Sequence, residues 1–104
     1  MVVYIREAHA IDGRSPNYSV LVEDPISDAE RASVARTCMA KMELRPIPAV
    51  VDGVDDKVGK AYSAHPDRLY LVGKDGKIAY AGGRGPFGFS VDELIDAIKK
   101  ELAK

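Results

Sequence analysis

Glu7 and His9 are two side chains suited to acid–base chemistry, and they stand just after an apolar run near the start of the chain. Alternate residues of an extended strand share a face, so both side chains are expected to leave the strand end together. A carboxylate beside an imidazole orients the ring and raises its basicity, and histidine titrates near neutral pH. The pair is therefore able to transfer a proton in a catalytic site. The alternatives are a structural or vestigial pair, or a site for metal binding or hydrolysis. The chain has only two histidines, so a dedicated metal site is not expected.

Cys38 is the single thiol of the chain, which excludes an internal disulfide framework. A reactive thiol needs exposure and a nearby positive charge or helix N-terminus to stabilise its thiolate, whereas Cys38 lies well inside a predicted helix. The pattern predicts an inert core cysteine, with a redox or intermolecular role as the alternative. It belongs to an apolar stripe at helical spacing that consists of Ala32, Ala35, Cys38, Met39 and Met42.

Pro66 precedes a predicted strand, and a proline at a strand entrance cannot donate to the ladder. We predict a cis peptide bond before Pro66, because the strand after it leads into an Asp-Gly hairpin; Pro48, which also precedes a strand, is the competing position. Arg68 follows closely. It either binds a substrate carboxylate or pairs with Glu7 or Asp67 for structure alone.

The glycines from Gly83 to Gly88 match the spacing G-x-G-x-x-G. A dinucleotide site also requires a further parallel strand after the following helix, and none is predicted. Pro86 removes one amide from the supposed phosphate cradle. The glycines are therefore interpreted as a turn, and no cofactor is expected.

Hydrophobic periodicity predicts the element order β-α-β-α-β-β-α, with a mixed β-sheet flanked by helices. Two capping boxes, Ser27 with Glu30 and Ser90 with Glu93, open the first and last helices. Asp75-Gly76 between two β-prone runs predicts a hairpin with a type I′ turn. The predicted strands are 2–5, 49–51, 68–72 and 77–81, and the predicted helices are 28–43, 56–63 and one from 91 onward.

The last helix is predicted to bury one apolar stripe and to turn its charged side chains outward. Glu101 is placed on that outer face together with three lysines. The stripe consists of Val91, Leu94, Ile95, Ile98 and Leu102.

The composition fits one globular domain over residues 1–104. Fifteen basic and sixteen acidic residues leave a formal net charge of −1. Nucleic acid and an anionic membrane are not expected as partners, because both select for a basic excess. The first residues do not fit a signal peptide, and no apolar run reaches the roughly 20 residues of a membrane span, so the cytoplasm is the expected compartment.

Three segments of the chain resemble the iodothyronine deiodinase family and its bacterial relatives. Residues 3–13 (VYIREAHAIDG) are similar to Y-I-x-E-A-H-x-x-D-G-W, 62–70 (YSAHPDRLY) to Y-x-A-x-P-E-R-L-Y, and 82–86 (GGRGP) to G-x-x-G-P. The resemblance implies a thioredoxin-like domain of the peroxiredoxin-like kind and a thiol- or selenol-dependent oxidoreductase. It also implies catalytic roles for Glu7 and His9 near the reacting residue, and a substrate-binding role for Pro66 opposite that residue.

The sequence departs from the family pattern where the reacting residue is expected. Family members carry a selenocysteine or cysteine in a strand-loop-helix that precedes the Y-I-x-E-A-H strand, and this chain begins at that strand. Arg14 also stands at the usual tryptophan position, and residues 23–26 lack the histidine of the animal enzymes. We therefore expect a truncated thioredoxin-like domain without independent redox activity, and we do not expect an iodothyronine substrate.

The alternative function is a non-enzymatic binding or assembly module. Without a neighbouring strand on one side, the apolar run from Val2 to Ile5 has an unpaired edge, and such edges tend to be covered. The expected partner is a second copy that forms a homodimer through this strand. A small-molecule or thiol substrate remains compatible with the sequence.

Overall fold

The computed structural model describes residues 1–8, 12–13, 23–44 and 46–104. The α/β class and the predicted order of elements are confirmed. Within the described ranges, no helix has the length and apolar character needed to cross a membrane. The elements are β1 (Val2–Tyr4), α1 (Asp28–Lys41), β2 (Ala49–Val51), α2 (Lys57–Ala61), β3 (Tyr70–Val72), β4 (Ile78–Ala81) and α3 (Val91–Leu102).

The chain divides into two compact units, Met1–Ala64 and His65–Lys104. The first contains a parallel pair, β1 with β2, and the second an antiparallel pair, β3 with β4. The described strands thus form two small sheets rather than the single mixed sheet expected. Periodicity along the chain predicts which segments are extended, but which strands become neighbours is decided by contacts far apart in sequence.

Helix α1 begins where the capping box predicts. The Ser27 hydroxyl accepts a hydrogen bond from the backbone N–H of Glu30 at 3.2 Å. The Glu30 carboxylate accepts from the backbone N–H of Ile26 at 2.9 Å, one residue earlier than in the usual box. The helix ends at Lys41, two residues before the predicted end, and Glu43 has a left-handed φ of 57°.

The buried face of α1 differs from its predicted apolar stripe. Ala35 is buried as expected, but Met42 is exposed, and the other buried member of the helix is Arg31, which is 2 % exposed. The Nη1 atom of Arg31 donates to the Gly53 carbonyl at 2.6 Å and lies 2.9 Å from the Asp56 carboxylate. The helix is therefore held to the loop after β2 by a buried guanidinium.

Asp52 ends β2 and is itself buried. Burial raises the pKa of its carboxyl group, but the backbone N–H donors of Gly59 and Val58, at 2.8 and 3.0 Å, outweigh burial and hold the pKa below its usual range. Its own backbone N–H donates to the Tyr4 carbonyl at 2.8 Å, which extends the β1–β2 ladder. Asp52 thus joins the sheet to the start of α2.

The hairpin of the second unit is confirmed, but its turn is not of type I′. That type needs positive φ at both central residues, and among the described turn residues only Gly76 has it, at 79°. The Gly76 N–H donates to the Gly73 carbonyl at 3.0 Å, and the Gly73 N–H donates to the Lys77 carbonyl at 2.8 Å. The connection therefore belongs to the longer hairpin loops, in which a glycine with left-handed backbone conformation follows a tight turn.

Glu101 of α3 is buried against this hairpin, so its predicted place on the outer face is wrong. One carboxylate oxygen accepts from the backbone N–H of Lys74 at 2.7 Å, and the other lies 3.1 Å from the Lys104 ammonium. These two interactions, the Lys74 N–H first, lower the pKa of Glu101. The backbone N–H of Lys74 in the turn needs an acceptor, and the Glu101 carboxylate supplies it. This hydrogen bond, and not the hydrophobic pattern of the helix, places Glu101 against the hairpin.

We expect Arg31→Ala to lower the free energy of unfolding by about 3–5 kcal/mol, because Asp56 and the Gly53 carbonyl lose a buried partner. Urea unfolding followed by circular dichroism measures the change. Arg36→Ala, at an exposed position of the same helix, is the matched control and should change stability by less than about 0.5 kcal/mol. Equal losses in both variants would show that the buried guanidinium does not stabilise the fold.

Candidate functional site

Glu7 is held at the end of β1 by a tyrosine of the same strand. The Tyr4 hydroxyl donates a hydrogen bond to the Glu7 carboxylate, and both side chains are partly buried. The pKa of Tyr4 is well above its usual range, because of burial first and then the bond and charge of Glu7. Tyr4 therefore stays protonated and remains a donor, which fixes the carboxylate.

The Cys38 thiol interacts electrostatically with this pair. Its pKa is raised, first by burial and then by the negative charge of Glu7. A hydrogen bond with Tyr4 and the charge of Lys41 act in the opposite direction but do not outweigh them. We call Tyr4, Glu7 and Cys38 the tyrosine cluster; it disfavours a thiolate, the form that attacks and reduces.

Sequence reasoning selected Glu7 but not Tyr4. The usable signal was the spacing of three residues between an aromatic hydroxyl at a strand end and a carboxylate in the loop after it. The link from both residues to Cys38 had no local signal, because α1 begins about twenty residues further along the chain. His9 lies outside the described residues, so its partnership with Glu7 stays a prediction.

The predicted substrate-binding residues, Pro66 and Arg68, belong to the second unit, whereas Glu7 belongs to the first. Among the described residues, the cis peptide bonds are His65–Pro66 and Gly85–Pro86, and Ile47–Pro48 is not one of them. Both cis prolines flank the hairpin, one before β3 and one after β4.

Arg68 connects the two ends of the hairpin. Its Nε donates to the Gly82 carbonyl at 2.6 Å, and the guanidinium lies 5.2 Å from the centre of the Tyr70 ring. Both contacts stabilise the structure of the second unit. A role in substrate binding for Arg68 stays a prediction.

The glycine-rich segment uses its amides within the fold. The N–H groups of Gly83, Gly85 and Gly88 donate to backbone carbonyls at 2.8 Å. A side chain at Gly85 would collide with the Asp67 carboxylate. These amides are committed to the loop and do not form a phosphate cradle. In the described part of the chain, no group of three or more histidine, cysteine, aspartate or glutamate side chains is placed to hold a metal ion.

The fold and the tyrosine cluster define a small α/β protein with a candidate acid–base group at the end of its first strand. The model of the iodothyronine deiodinase family matches residues 1–102, and the chain belongs to that family.

Individual relatives agree with this assignment. The chain is 37 % identical over 100 residues to a thyroxine 5-deiodinase of Sparus aurata, which covers 90 % of the chain and 34 % of the relative. It is 31 % identical over 101 residues to a type I iodothyronine deiodinase of Xenopus laevis, and this alignment covers 97 % of the chain and 39 % of the relative. It is 33 % identical over 109 residues to the type II iodothyronine deiodinase of Homo sapiens, and this alignment covers 100 % of the chain and 40 % of the relative. The chain thus spans only about a third to two fifths of the length of these relatives.

We expect Glu7→Gln to lower the pKa of the Cys38 thiol, because the substitution removes a negative charge that opposes the thiolate. The rate of alkylation by iodoacetamide, measured against pH, should reach its half-maximum at lower pH in this variant than in the unaltered chain. Glu43→Gln, at an exposed position, is the control and should leave the profile unchanged. Identical profiles for all three proteins would show that the charge of Glu7 does not raise the pKa of Cys38.

Proposed function

We propose that this chain supplies the acid–base and substrate side of a thiol- or selenol-dependent oxidoreductase with a thioredoxin-like fold. The observation that carries the proposal is the hydrogen bond from Tyr4 to Glu7, at the motif where the chain resembles its family. A carboxylate fixed in this way is able to orient the imidazole of His9, two residues further on, for proton transfer.

The reacting thiol or selenol comes from outside these 104 residues. The single cysteine supports this, because burial and the charge of Glu7 raise the pKa of Cys38 and so disfavour its thiolate. The chain by itself therefore lacks redox activity. The relatives, which are more than twice as long, leave room for such a residue.

The substrate side is formed by Pro66 and Arg68 at the entrance to β3. Arginine binds planar anions such as carboxylates, and the substrate is a small molecule or a thiol. The names of the relatives refer to thyroxine and iodothyronines. For this chain we propose no iodothyronine substrate, since residues 23–26 lack a histidine. The single cysteine fits the reducing cytoplasm as the compartment.

We expect no Cys38-dependent turnover when the purified chain is assayed with dithiothreitol as the reductant. Cys38→Ala is the matched control, and it should give the same background rate as the unaltered protein. Turnover that disappears in Cys38→Ala would show that the chain has its own redox centre. The DNA just before Met1 provides a second test: an in-frame cysteine or UGA codon within a strand-encoding segment supports the proposal, and its absence contradicts it.

The second candidate function is an assembly module, and the free edge of β1 favours it. Within the described ranges, β1 has one neighbouring strand, β2. Apolar side chains on both strands are exposed, including those of Val3, Val50 and Val51. Apolar strand edges tend to be covered by another chain, so the proposed assembly is a homodimer through this N-terminal strand.

We expect the chain to be dimeric by light scattering at tens of micromolar. Val2 and Tyr4 face β2 with their backbone groups, so those of Val3 point to the other edge. Val3→Pro removes the outward donor and should produce a monomer, whereas Val3→Ile, which keeps the N–H group, should remain a dimer. A monomeric unaltered chain would rule out the strand-edge dimer.

A further inference from the structure

Asp-Gly pairs are the places where a polypeptide backbone rearranges most readily, and they occur in this chain at Asp12, Asp52 and Asp75. The backbone nitrogen of the glycine attacks the side-chain carboxyl carbon of the aspartate, and the missing Cβ of glycine leaves that nitrogen uncrowded. A carbon–nitrogen bond forms, water leaves, and the product is a cyclic imide. Water then opens the imide at either of its carbonyl carbons.

One of these openings changes the backbone. It routes the main chain through the side-chain carboxyl group, lengthens the chain by a methylene group, and leaves the former α-carboxyl group as a free carboxylate. This isoaspartyl linkage has the same composition as aspartate, because the water that left is replaced, and no electrons are transferred. Which pair reacts depends on where the fold holds each carboxyl group.

Asp52 is protected by its hydrogen bonds. The residue is 4 % exposed, and its two carboxylate oxygens accept from the backbone N–H groups of Val58 and Gly59 at 3.0 and 2.8 Å. These donors stabilise the ionised carboxylate, whereas imide formation needs the neutral carboxyl group, which loses its hydroxyl as water. Asp52 is therefore not expected to react while the first unit is folded.

Asp12 is exposed, but its carboxylate is bound to a distant part of the chain. Its Oδ1 atom accepts from the backbone N–H of Asp24 at 2.7 Å. The carboxyl group must leave this donor before it can approach the nitrogen of Gly13. The Asp12 pair is therefore expected to react more slowly than an unconstrained Asp-Gly pair.

Asp75 is placed for the reaction in the exposed turn of the hairpin. Its Oδ1 atom accepts from the backbone N–H of Lys77 at 3.0 Å, in an Asx turn that folds the carboxyl group over the intervening nitrogen of Gly76. Among the described residues, apart from its chain neighbours, no atom lies within 4 Å of the position of a Cβ on Gly76, so the imide has room. The Gly76 N–H must first leave the Gly73 carbonyl, and such local opening of an exposed turn costs little.

We propose that Asp75-Gly76 is a modification site, at which the backbone rearranges to an isoaspartyl linkage whose exposed carboxylate accepts a methyl group from an isoaspartyl O-methyltransferase. The methyl donor is S-adenosylmethionine: a carboxylate oxygen bonds to the methyl carbon, and S-adenosylhomocysteine leaves. The methyl ester closes to the imide again with loss of methanol, so the modification is reversible.

The rearranged turn lies where α3 is attached to the hairpin. The backbone N–H of Lys74 donates to the Glu101 carboxylate at 2.7 Å, and the Lys74 ammonium donates to the Lys104 carbonyl at 2.8 Å. The apolar stripe that was predicted to be buried contributes little here, because four of its members are 36–70 % exposed: Val91, Ile95, Ile98 and Leu102. A longer backbone next to Lys74 is therefore expected to weaken the attachment of α3.

Ageing of the folded chain tests the site. The protein is kept at mildly acidic pH and then treated with purified isoaspartyl methyltransferase and labelled S-adenosylmethionine, and the label should appear in the peptide of residues 72–80. Asp75→Glu keeps the carboxylate but would need a larger imide ring, which forms far more slowly, so this control should stay unlabelled at that peptide. Asp75→Asn loses ammonia in place of water and should be labelled faster than the unaltered chain.

The unfolded chain separates the effect of the fold from that of the sequence. In guanidinium chloride all three Asp-Gly pairs are released and should react at similar rates. Folding should slow the reaction of Asp52 by roughly tenfold or more and that of Asp75 by less than about threefold. The proposal is overturned if the folded chain carries no label at Asp75, or if Asp12 or Asp52 is labelled as fast as Asp75.

Hydrogen exchange measures the effect on α3. The backbone N–H of Lys74 should exchange faster in the chain with the isoaspartyl linkage, purified by chromatography, than in the fresh chain. Glu101→Ala removes the acceptor and should give the same increase without ageing, whereas aged Asp75→Glu should show none. Unchanged exchange in the chain with the isoaspartyl linkage would overturn the link between the modified turn and α3.

Discussion

The buried guanidinium of Arg31 is the interaction on which the first unit depends. A single atom of this side chain contacts the Gly53 carbonyl and the Asp56 carboxylate, and so joins the long helix to the loop between β2 and α2. Among the described residues, Ala35 is the buried aliphatic side chain, so apolar packing alone contributes little to the stability of this helix. These contacts offset the cost of desolvating the charge, which makes their geometry a strong constraint on the loop.

The second unit uses a buried charge in the same way, with the opposite sign. Glu101 binds the backbone of the hairpin turn, and this contact sets how α3 is rotated about its axis. Both units thus orient a helix by binding backbone groups of a loop that the helix covers. The consequence is common to both: apolar side chains that a larger core would bury remain on the surface, at β1, β2 and α3.

The tyrosine cluster places a fixed carboxylate close to a protonated thiol. Tyr4 fixes the Glu7 carboxylate just after the end of β1, while burial first and then that same carboxylate raise the pKa of the Cys38 thiol. A site that needed Cys38 as its nucleophile would place a positive charge there instead. The chain belongs to the iodothyronine deiodinase family, and the arrangement agrees with the proposed function, in which a residue other than Cys38 reacts.

The sequence by itself determined the order of the elements, the starts of α1 and α3 at Ser27 and Ser90, and the hairpin at Gly76, because capping and turn rules act over a few residues. It also indicated the family, and it selected Glu7 as a candidate acid–base residue. Only the tertiary structure decided that Arg31 and Glu101 are buried, that the strands form two sheets, and that Tyr4, Glu7 and Cys38 interact. The two buried charges bind backbone groups that lie more than twenty residues away in the chain, and Cys38 is more than thirty residues from Tyr4 and Glu7. A buried charge is placed by such partners, and periodicity along a helix carries no information about them.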